Sequence, residues 1–369
     1  MGLDDDVVIQ DIRICKHEFV ELGNAIDDVA KARCGRKSQI DHLDGLYLLL
    51  MRYAHNFSLK TLADVVHARK EQLISIFDWI SKALHQFLIS KFSPMKFQFD
   101  PRMCPNTFGW CSIIIDSTTI PAHNPSGTFG ESMVLFDGKN RMYGFKYEVG
   151  ILNTDKPVAV MISSHFPGSV HDLTLHRSFE TIYKNDMRVN ENQRSFLPLE
   201  MRNQEFFGFL ADMGYISSEN LIKVYTPFKG NTLTPNQSRF NALLVPVRVQ
   251  IENFFGRSKT CFKFLTTAHK NDGLNYEIHV PNCFLLTNFL VVRVALNERD
   301  RESYRNILDE HLRMIIERKR KRNEQRRNWN RRRRSNMNIN GERRVRFRNA
   351  MGRFESRIEN DFENFDLDG

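Results

Sequence analysis

No stretch of the chain is apolar for long enough to cross a bilayer, which needs about 20 consecutive apolar residues. The first residues include Asp4, Asp5 and Asp6 and lack an apolar core, the opposite of a secretory leader. The six cysteines, Cys15, Cys34, Cys104, Cys111, Cys261 and Cys283, form no Cys-x-x-Cys pair, and no histidine cluster stands near them at zinc-ligand spacing. That pattern excludes a zinc ribbon and a disulfide scaffold and points to reduced thiols. No internal repeat is present, so solenoids and propellers are excluded too. These absences leave a soluble intracellular protein with no membrane partner as the expectation.

What is present is a chain of 369 residues, 41% hydrophobic and 26% charged, with 29 phenylalanines to build a core. Its net charge of +9 is unevenly distributed. Between Arg313 and Arg348 stand 16 Lys and Arg against 3 acids, a local +13, so the rest of the chain carries +9 less +13, or −4. A near-neutral body with a basic tail attracts polyanions, nucleic acid above all.

The residues before position 95 read as helical. Leu46, Leu49, Leu50 and Tyr53 recur at helical spacing, and Ser58 is placed to cap a short helix with Leu59, Leu62 and Val66. A turn at His67 to Lys70 precedes a longer amphipathic helix carrying Leu73, Ile76, Phe77, Ile80, Leu84 and Phe87. Short helix, turn and long helix make a helix-turn-helix the expectation for 1–95, with Arg69, Lys70 and Gln72 at the usual DNA-contacting edge. Pro94, Pro101 and Pro105 mark a linker.

From Trp110 the period changes. Strands are expected at Ser112 to Ile120, Tyr147 to Leu152, Pro157 to Ser163, Phe206 to Ala211 and Lys223 to Thr226. Helices are expected at Asp172 to Lys184, Ser218 to Ile222, Arg239 to Phe264 and Asn282 to Ala295, with Pro246 kinking or starting part of the long one. This order predicts an α/β domain with a mixed sheet over 105–296, followed by a basic, partly disordered tail over 297–369.

Three acids stand out. Asp116 follows Ile113-Ile114-Ile115, Asp212 ends the apolar run at Ala211, and Glu252 lies on the long helix. An Asp in a buried strand is costly unless compensated. Two strand-end acids and one helix acid can converge at a sheet edge, and their mutual repulsion is relieved by divalent cations. Two such ions about 3.5–4 Å apart can activate water and stabilise the leaving oxygen of a phosphodiester. Arg248, Glu252 and Lys259 fall at offsets of four and seven, on one helix face. An acid between two cations suits metal on the acid and phosphate on the cations. The simpler alternative is an Arg248–Glu252 ion pair with Lys259 solvated. Asp172, after Pro167-Gly168, is placed to cap the next helix, with a metal role as the alternative.

The motifs Asp116-Ser117-Thr118, Pro167-Gly168-Ser169-Val170-His171-Asp172, Ala211-Asp212-Met213-Gly214-Tyr215 and Arg248-x-x-x-Glu252-Asn253-Phe254-Phe255-Gly256 resemble DDE superfamily endonucleases of the PIF/Harbinger transposase type. The spacing of Arg248, Glu252 and Lys259 is also similar to the Tyr-Arg-Glu-Lys signature of bacterial insertion-sequence transposases, with Val245 where that signature has Tyr. The family's late Leu-His-Asn motif stands here as Leu286-Thr287-Asn288. Over about Trp110 to Val292 the resemblance implies an RNase H-like fold and a cut-and-paste reaction on double-stranded DNA. It implies Asp116, Asp212 and Glu252 as the triad holding two Mg²⁺ or Mn²⁺ ions, with Arg248 and Lys259 on phosphates. It also implies a homo-oligomer and, in related elements, a Myb-like accessory DNA-binding protein. A DNA-binding derivative that keeps the fold without catalysis is the alternative.

In the tail, Arg318-Lys319-Arg320-Lys321-Arg322 and Arg331 to Arg334 fit nuclear import or nonspecific DNA binding. Each phosphate neutralised contributes about −0.9 to the slope of log affinity against log salt. Truncation after Asn297 is therefore expected to flatten that slope by several units in anisotropy titrations. It should also move a fluorescent fusion out of the nucleus. An unchanged slope with unchanged nuclear accumulation reduces the tail to a solvated appendage.

Overall fold

A computed structural model describes residues 5–33, 40–92, 99–104, 106–123, 128–217, 221–230, 232–268 and 276–294, together with Arg320, Lys321, Glu324 and Asn349. The residues up to Arg301 form one compact unit and Glu302–Gly369 a second. The basic clusters of the tail lie almost wholly outside the described residues.

Five helices open the chain: α1 (Asp5–Ile12), α2 (Lys16–Arg33), α3 (His42–His55), α4 (Leu59–Val65) and α5 (Lys70–Lys91). Their ends follow local chemistry. The Asp41 carboxylate accepts from Leu43 N to start α3, and Asn56 stops it in the left-handed region at φ 57°. Ser58 Oγ accepts from Thr61 N at 3.0 Å to start α4, as its sequence position predicts. At the head of α5, Gln72 Oε1 accepts from Arg69 N at 2.9 Å. Short helix, turn and long helix thus occur where the periodicity places them.

The α/β part begins with β1 (Cys111–Pro121), α6 (Phe129–Val134), β2 (Phe136–Asp137) and β3 (Met142–Leu152). It continues with β4 (Ala159–Ile162), β5 (Phe166–Pro167), α7 (Asp172–Tyr183), α8 (Glu191–Arg194), β6 (Gly208–Leu210) and β7 (Val224–Tyr225). Two long helices close it, α9 (Pro235–Cys261) and α10 (Tyr276–Arg293). The sheet runs β2-β3-β1-β6-β7, with β4 and β5 also paired to β3. Strand β3 is antiparallel to both β1 and β4, whereas β6 runs parallel to β1 and β7 parallel to β6. This is the mixed sheet expected.

The strand β3, Met142–Leu152, is longer than the expected Tyr147 to Leu152, because Lys146 and Gly144 interrupt the apolar run before Tyr147. The strand expected at Phe206 to Ala211 is confined to Gly208–Leu210. A 3-10 turn forms at Met213–Tyr215. The helix expected at Ser218 to Ile222 lies partly outside the described residues, and Leu221 and Ile222 are not helical. The helix α9 starts at Pro235, earlier than expected, because Thr234 Oγ1 accepts from Gln237 N and proline suits a first turn. It runs through Pro246 without ending.

The helix α10 is buried along most of its length and joins the two halves of the unit. Towards the N-terminal helices, His279 Nδ1 lies 2.7 Å from the Tyr53 hydroxyl, and Asn282 Oδ1 lies 2.8 Å from His85 Nδ1. Asn282 Nδ2 also donates to Ser81 O at 2.9 Å. Towards the sheet, Asn288 clamps one residue of β4. It accepts from Ala159 N and donates to Ala159 O, both at 2.7 Å. A buried backbone group left unpaired costs about 1–3 kcal/mol. Asn288→Ala strands both groups and is expected to destabilise the protein by about 2–4 kcal/mol in urea unfolding. A loss below about 0.5 kcal/mol would contradict the clamp.

Candidate active site

The acid site follows from strand register. In the parallel pair, Ile113 faces Phe209 and Ile114 faces Leu210. Two residues beyond Ile114 is Asp116, and two beyond Leu210 is Asp212. Side chains alternate with a period of two, so both acids stand level on the same face of the sheet, just past the end of β6. There Asp116 Oδ1 accepts from Ser117 N at 2.8 Å, and Asp212 Oδ1 accepts from Met213 N at 2.6 Å.

The helix α9 lies against that face and supplies the third acid with two cations. Arg248 Nη2 stands 3.4 Å from Asp212 Oδ1 and 4.0 Å from Glu252 Oε1. Its charge also reaches Asp116. The four-residue spacing that places Arg248 beside Glu252 is the helix neighbour rule. Two turns further, Lys259 turns towards β1 and donates to Thr118 Oγ1 at 2.7 Å, beside Asp116. The structure therefore gathers Asp116, Asp212, Arg248, Glu252 and Lys259, with half-buried Lys259 hydrogen-bonded to β1.

Burial governs the charges. It pushes the Asp116 carboxyl up to about 6, with Asp172 adding to the rise while the Ser117 amide, Lys139 and Arg248 oppose it. It draws the Lys259 ammonium down to about 8, against the pull of Asp116. Both groups are thus pressed towards neutrality by the same covered environment.

Asp172 does not cap α7. His171 occupies the cap position, and the Asp172 carboxylate instead takes a hydrogen bond from Ser117 Oγ at 2.7 Å. It also pairs with Lys146 Nζ at 3.1 Å. A methyl group built on Gly214 would meet Asp172 Oδ2 at 3.4 Å, so the fourth acid borders the turn that follows Asp212. Lys146 was not singled out by sequence. The available signal was two charges, Lys146 and Glu148, alternating within an otherwise apolar strand.

The other sequence candidates lie elsewhere. Arg69 and Lys70 are exposed at the start of α5, and Gln72 spends its side-chain oxygen on the Arg69 amide. His165 approaches Glu277 at 3.5 Å, outside the acid cluster. A pocket of about 440 Å³ between α5, β4 and α10, lined by His85, Met161 and Pro281 among others, contains none of Asp116, Asp172, Asp212 and Glu252.

The donors at the site are carboxylate oxygens, the ligand type that hard divalent cations prefer. Burial holds the Asp116 carboxyl above the usual carboxylate range, and an added cation would favour its charged form. Among the described residues no three His, Cys, Asp or Glu side chains surround a common point for a metal ion. The positive charge between Asp212 and Glu252 is Arg248. The donor chemistry therefore fits a divalent ion, with Arg248 holding its two flanking acids together.

Because Asp116 is raised, its ionisation opposes folding. That penalty is absent below about pH 4, grows as pH rises to about 6 and is complete above it. In metal-free protein Asp116→Asn is expected to gain about 1–2 kcal/mol at pH 7.5 and nothing near pH 4. Urea unfolding at both pH values measures this, and an equal effect at the two would refute the electrostatic account.

Residues 115–288 match the family model described as DDE superfamily endonuclease. Matches to curated proteins and to solved structures were not found. The matched segment contains Asp116, Asp212 and Glu252, and its last residue is Asn288, the clamp on β4. The match supports a DDE-type family for the part of the chain that carries the acid site.

Proposed function

We propose, from this likeness to a DDE superfamily endonuclease, that the protein is a transposase-type endonuclease of the PIF/Harbinger kind, cutting DNA and joining DNA ends. The observation that carries the reading is the level placement of Asp116 and Asp212 on adjacent parallel strands, with Arg248 and Glu252 of α9 closing on them. The strand order, three antiparallel neighbours followed by two parallel ones, supports an RNase H-like catalytic domain.

Asp116, Asp212 and Glu252 would hold two Mg²⁺ or Mn²⁺ ions. When bound, these supply an activated nucleophile and stabilise the leaving oxygen of a phosphodiester. The chain's own groups do the rest. Asp116 is ionised at neutral pH despite its burial, since its pKa is about 6. Arg248 orients Asp212 and Glu252, and with exposed Lys139 it offers positive charge towards a phosphate backbone. Lys259 keeps β1 in place through Thr118 and balances Asp116.

The helix pair α4–α5, with Arg69 and Lys70 exposed, supports a helix-turn-helix reader of element ends. The basic tail supports nonspecific DNA contact and nuclear import. Pairing two element ends calls for at least a dimer, and a Myb-like partner fits the same kind of element.

Asp212→Asn and Glu252→Gln are each expected to abolish Mg²⁺-dependent cleavage of supercoiled plasmid while leaving the fold and DNA affinity intact. Full cleavage by either variant removes the acid assignment. Wild-type protein that binds DNA, and does not cut it under conditions where Mg²⁺ raises its melting temperature, is instead a silent DNA-binding derivative. Joining is read separately, in a strand-transfer assay with paired terminal repeats.

A further inference from the structure

Beneath the acid site lies a polar group that the reading above does not use. Glu148 of β3 is 1% exposed and sits opposite Ser117 of β1. Paired residues in adjacent strands share a face, so Glu148 and Ser117 point away from α9 and towards α7. There His176, 0% exposed, brings Nδ1 to 3.1 Å from Glu148 Oε1. His176 lies four residues after Asp172, one helical turn along the same face of α7. The Tyr215 hydroxyl stands close enough to Glu148 to favour its charged form, and the Tyr215 ring meets His176 edge-on at 5.6 Å. Tyr215 ends the 3-10 turn that Asp212 begins.

One buried carboxylate therefore connects three pieces of chain. It belongs to β3, next to the strand of Asp116. Through His176 it reaches the helix that carries Asp172, and through Tyr215 it reaches the turn that carries Asp212. A buried carboxylate is expensive, and apolar residues of similar volume would pack this site at lower cost. Its retention makes sense if geometry is what it secures. The outer partners of metal-binding carboxylates act in this way, and their loss typically costs 10–100-fold in affinity or activity.

We infer that Glu148 is a positioning residue of the acid site, setting Asp212 through Tyr215 and Asp172 through His176 relative to Asp116. This rests on the endonuclease reading and adds a residue group to it. Glu148 touches neither substrate nor ion. Its removal should loosen the spacing of the carboxylates rather than the fold.

The test uses Glu148→Gln and Tyr215→Phe in the full chain, with two readouts. The first is the Mg²⁺ concentration giving half of the Mg²⁺-induced rise in melting temperature, with plasmid cleavage followed in parallel. Both variants should need about ten- to a hundredfold more Mg²⁺. Their turnover should fall similarly, while the DNA concentration at half-maximal rate stays within about twofold. A group that is only structural would lower the metal-free melting temperature and leave the Mg²⁺ midpoint alone. The second readout needs neither metal nor activity. The stability gained by Asp116→Asn at pH 7.5 arises from the burial of that carboxylate, with Asp172 adding to it, so it should shrink by about half when Glu148→Gln or Tyr215→Phe loosens the site and is combined with it. Wild-type Mg²⁺ midpoints together with an undiminished Asp116→Asn gain overturn the inference. If wild-type protein shows no Mg²⁺ shift at all, the endonuclease reading fails, and the metal-free comparison still decides the role of Glu148. Should Glu148→Gln not fold, Tyr215→Phe, which removes a single hydroxyl, decides alone.

Discussion

The parallel pairing of β1 with β6 is the constraint on which the site depends. Ile114 and Leu210 are fully buried register partners, and Asp116 and Asp212 each follow two residues later. A slip of one residue would turn one acid to the opposite face and expose the isoleucine and leucine runs that fix the pairing. The apolar residues thus hold the acids in place, and the short length of β6 leaves Asp212 free to start the turn at Met213–Tyr215. The helix α9 then needs only to lie across this face for Arg248 and Glu252 to arrive together.

Acids and cations are set against one another on two faces of the same strand ends. On the α9 side Arg248 and Lys259 stand against Asp116, Asp212 and Glu252. On the α7 side Lys146 stands against Asp172, while Glu148 is met by His176 and Tyr215. Helices cover Glu148 and His176 fully and Asp116 and Lys259 in part, while Asp212 and Glu252 keep 34% and 43% of their side-chain surface open to water. Interactions in such surroundings are stronger than at the surface, and unpaired charge is correspondingly costly. The opposite displacements of Asp116 and Lys259 are two consequences of that covering. They leave an acid site with a shortage of positive charge, the condition in which a divalent ion gains most by binding.

The helix α10 explains why the N-terminal helices are more than an appendage. Its polar residues are almost all turned to structural contacts: His279 to Tyr53, Asn282 to α5 and Asn288 to β4. The late Leu286-Thr287-Asn288 motif belongs to this scaffold. Thr287 Oγ1 bonds back to Cys283 O within the helix, and Asn288 supports β4, so the position where the similar motif has His is here a fully buried Thr bonded within its own helix.

Much of this was legible in the residues. The apolar run before Asp116, the break after Ala211 and the offset between Arg248 and Glu252 determine two strand ends and one helix face. Those depend on spacing alone, which is a local property of the chain. Ser58 as a cap and the start of α7 near Asp172 were equally local. The sequence left three matters to the tertiary structure. Lys259 reads from spacing as a phosphate-facing or solvated cation, and only the packing of α9 on β1 brings it to Thr118. Asp172 follows a turn and so reads as a cap, yet the backbone sets His171 there and frees the carboxylate for Ser117 and Lys146. The Glu148, His176 and Tyr215 group joins residues up to 67 positions apart, and no periodicity within one element relates them. Sequence spacing determines which face of its own element a side chain occupies. Which faces then meet is decided by strand register and helix packing, and the chemistry of this site lies in that meeting.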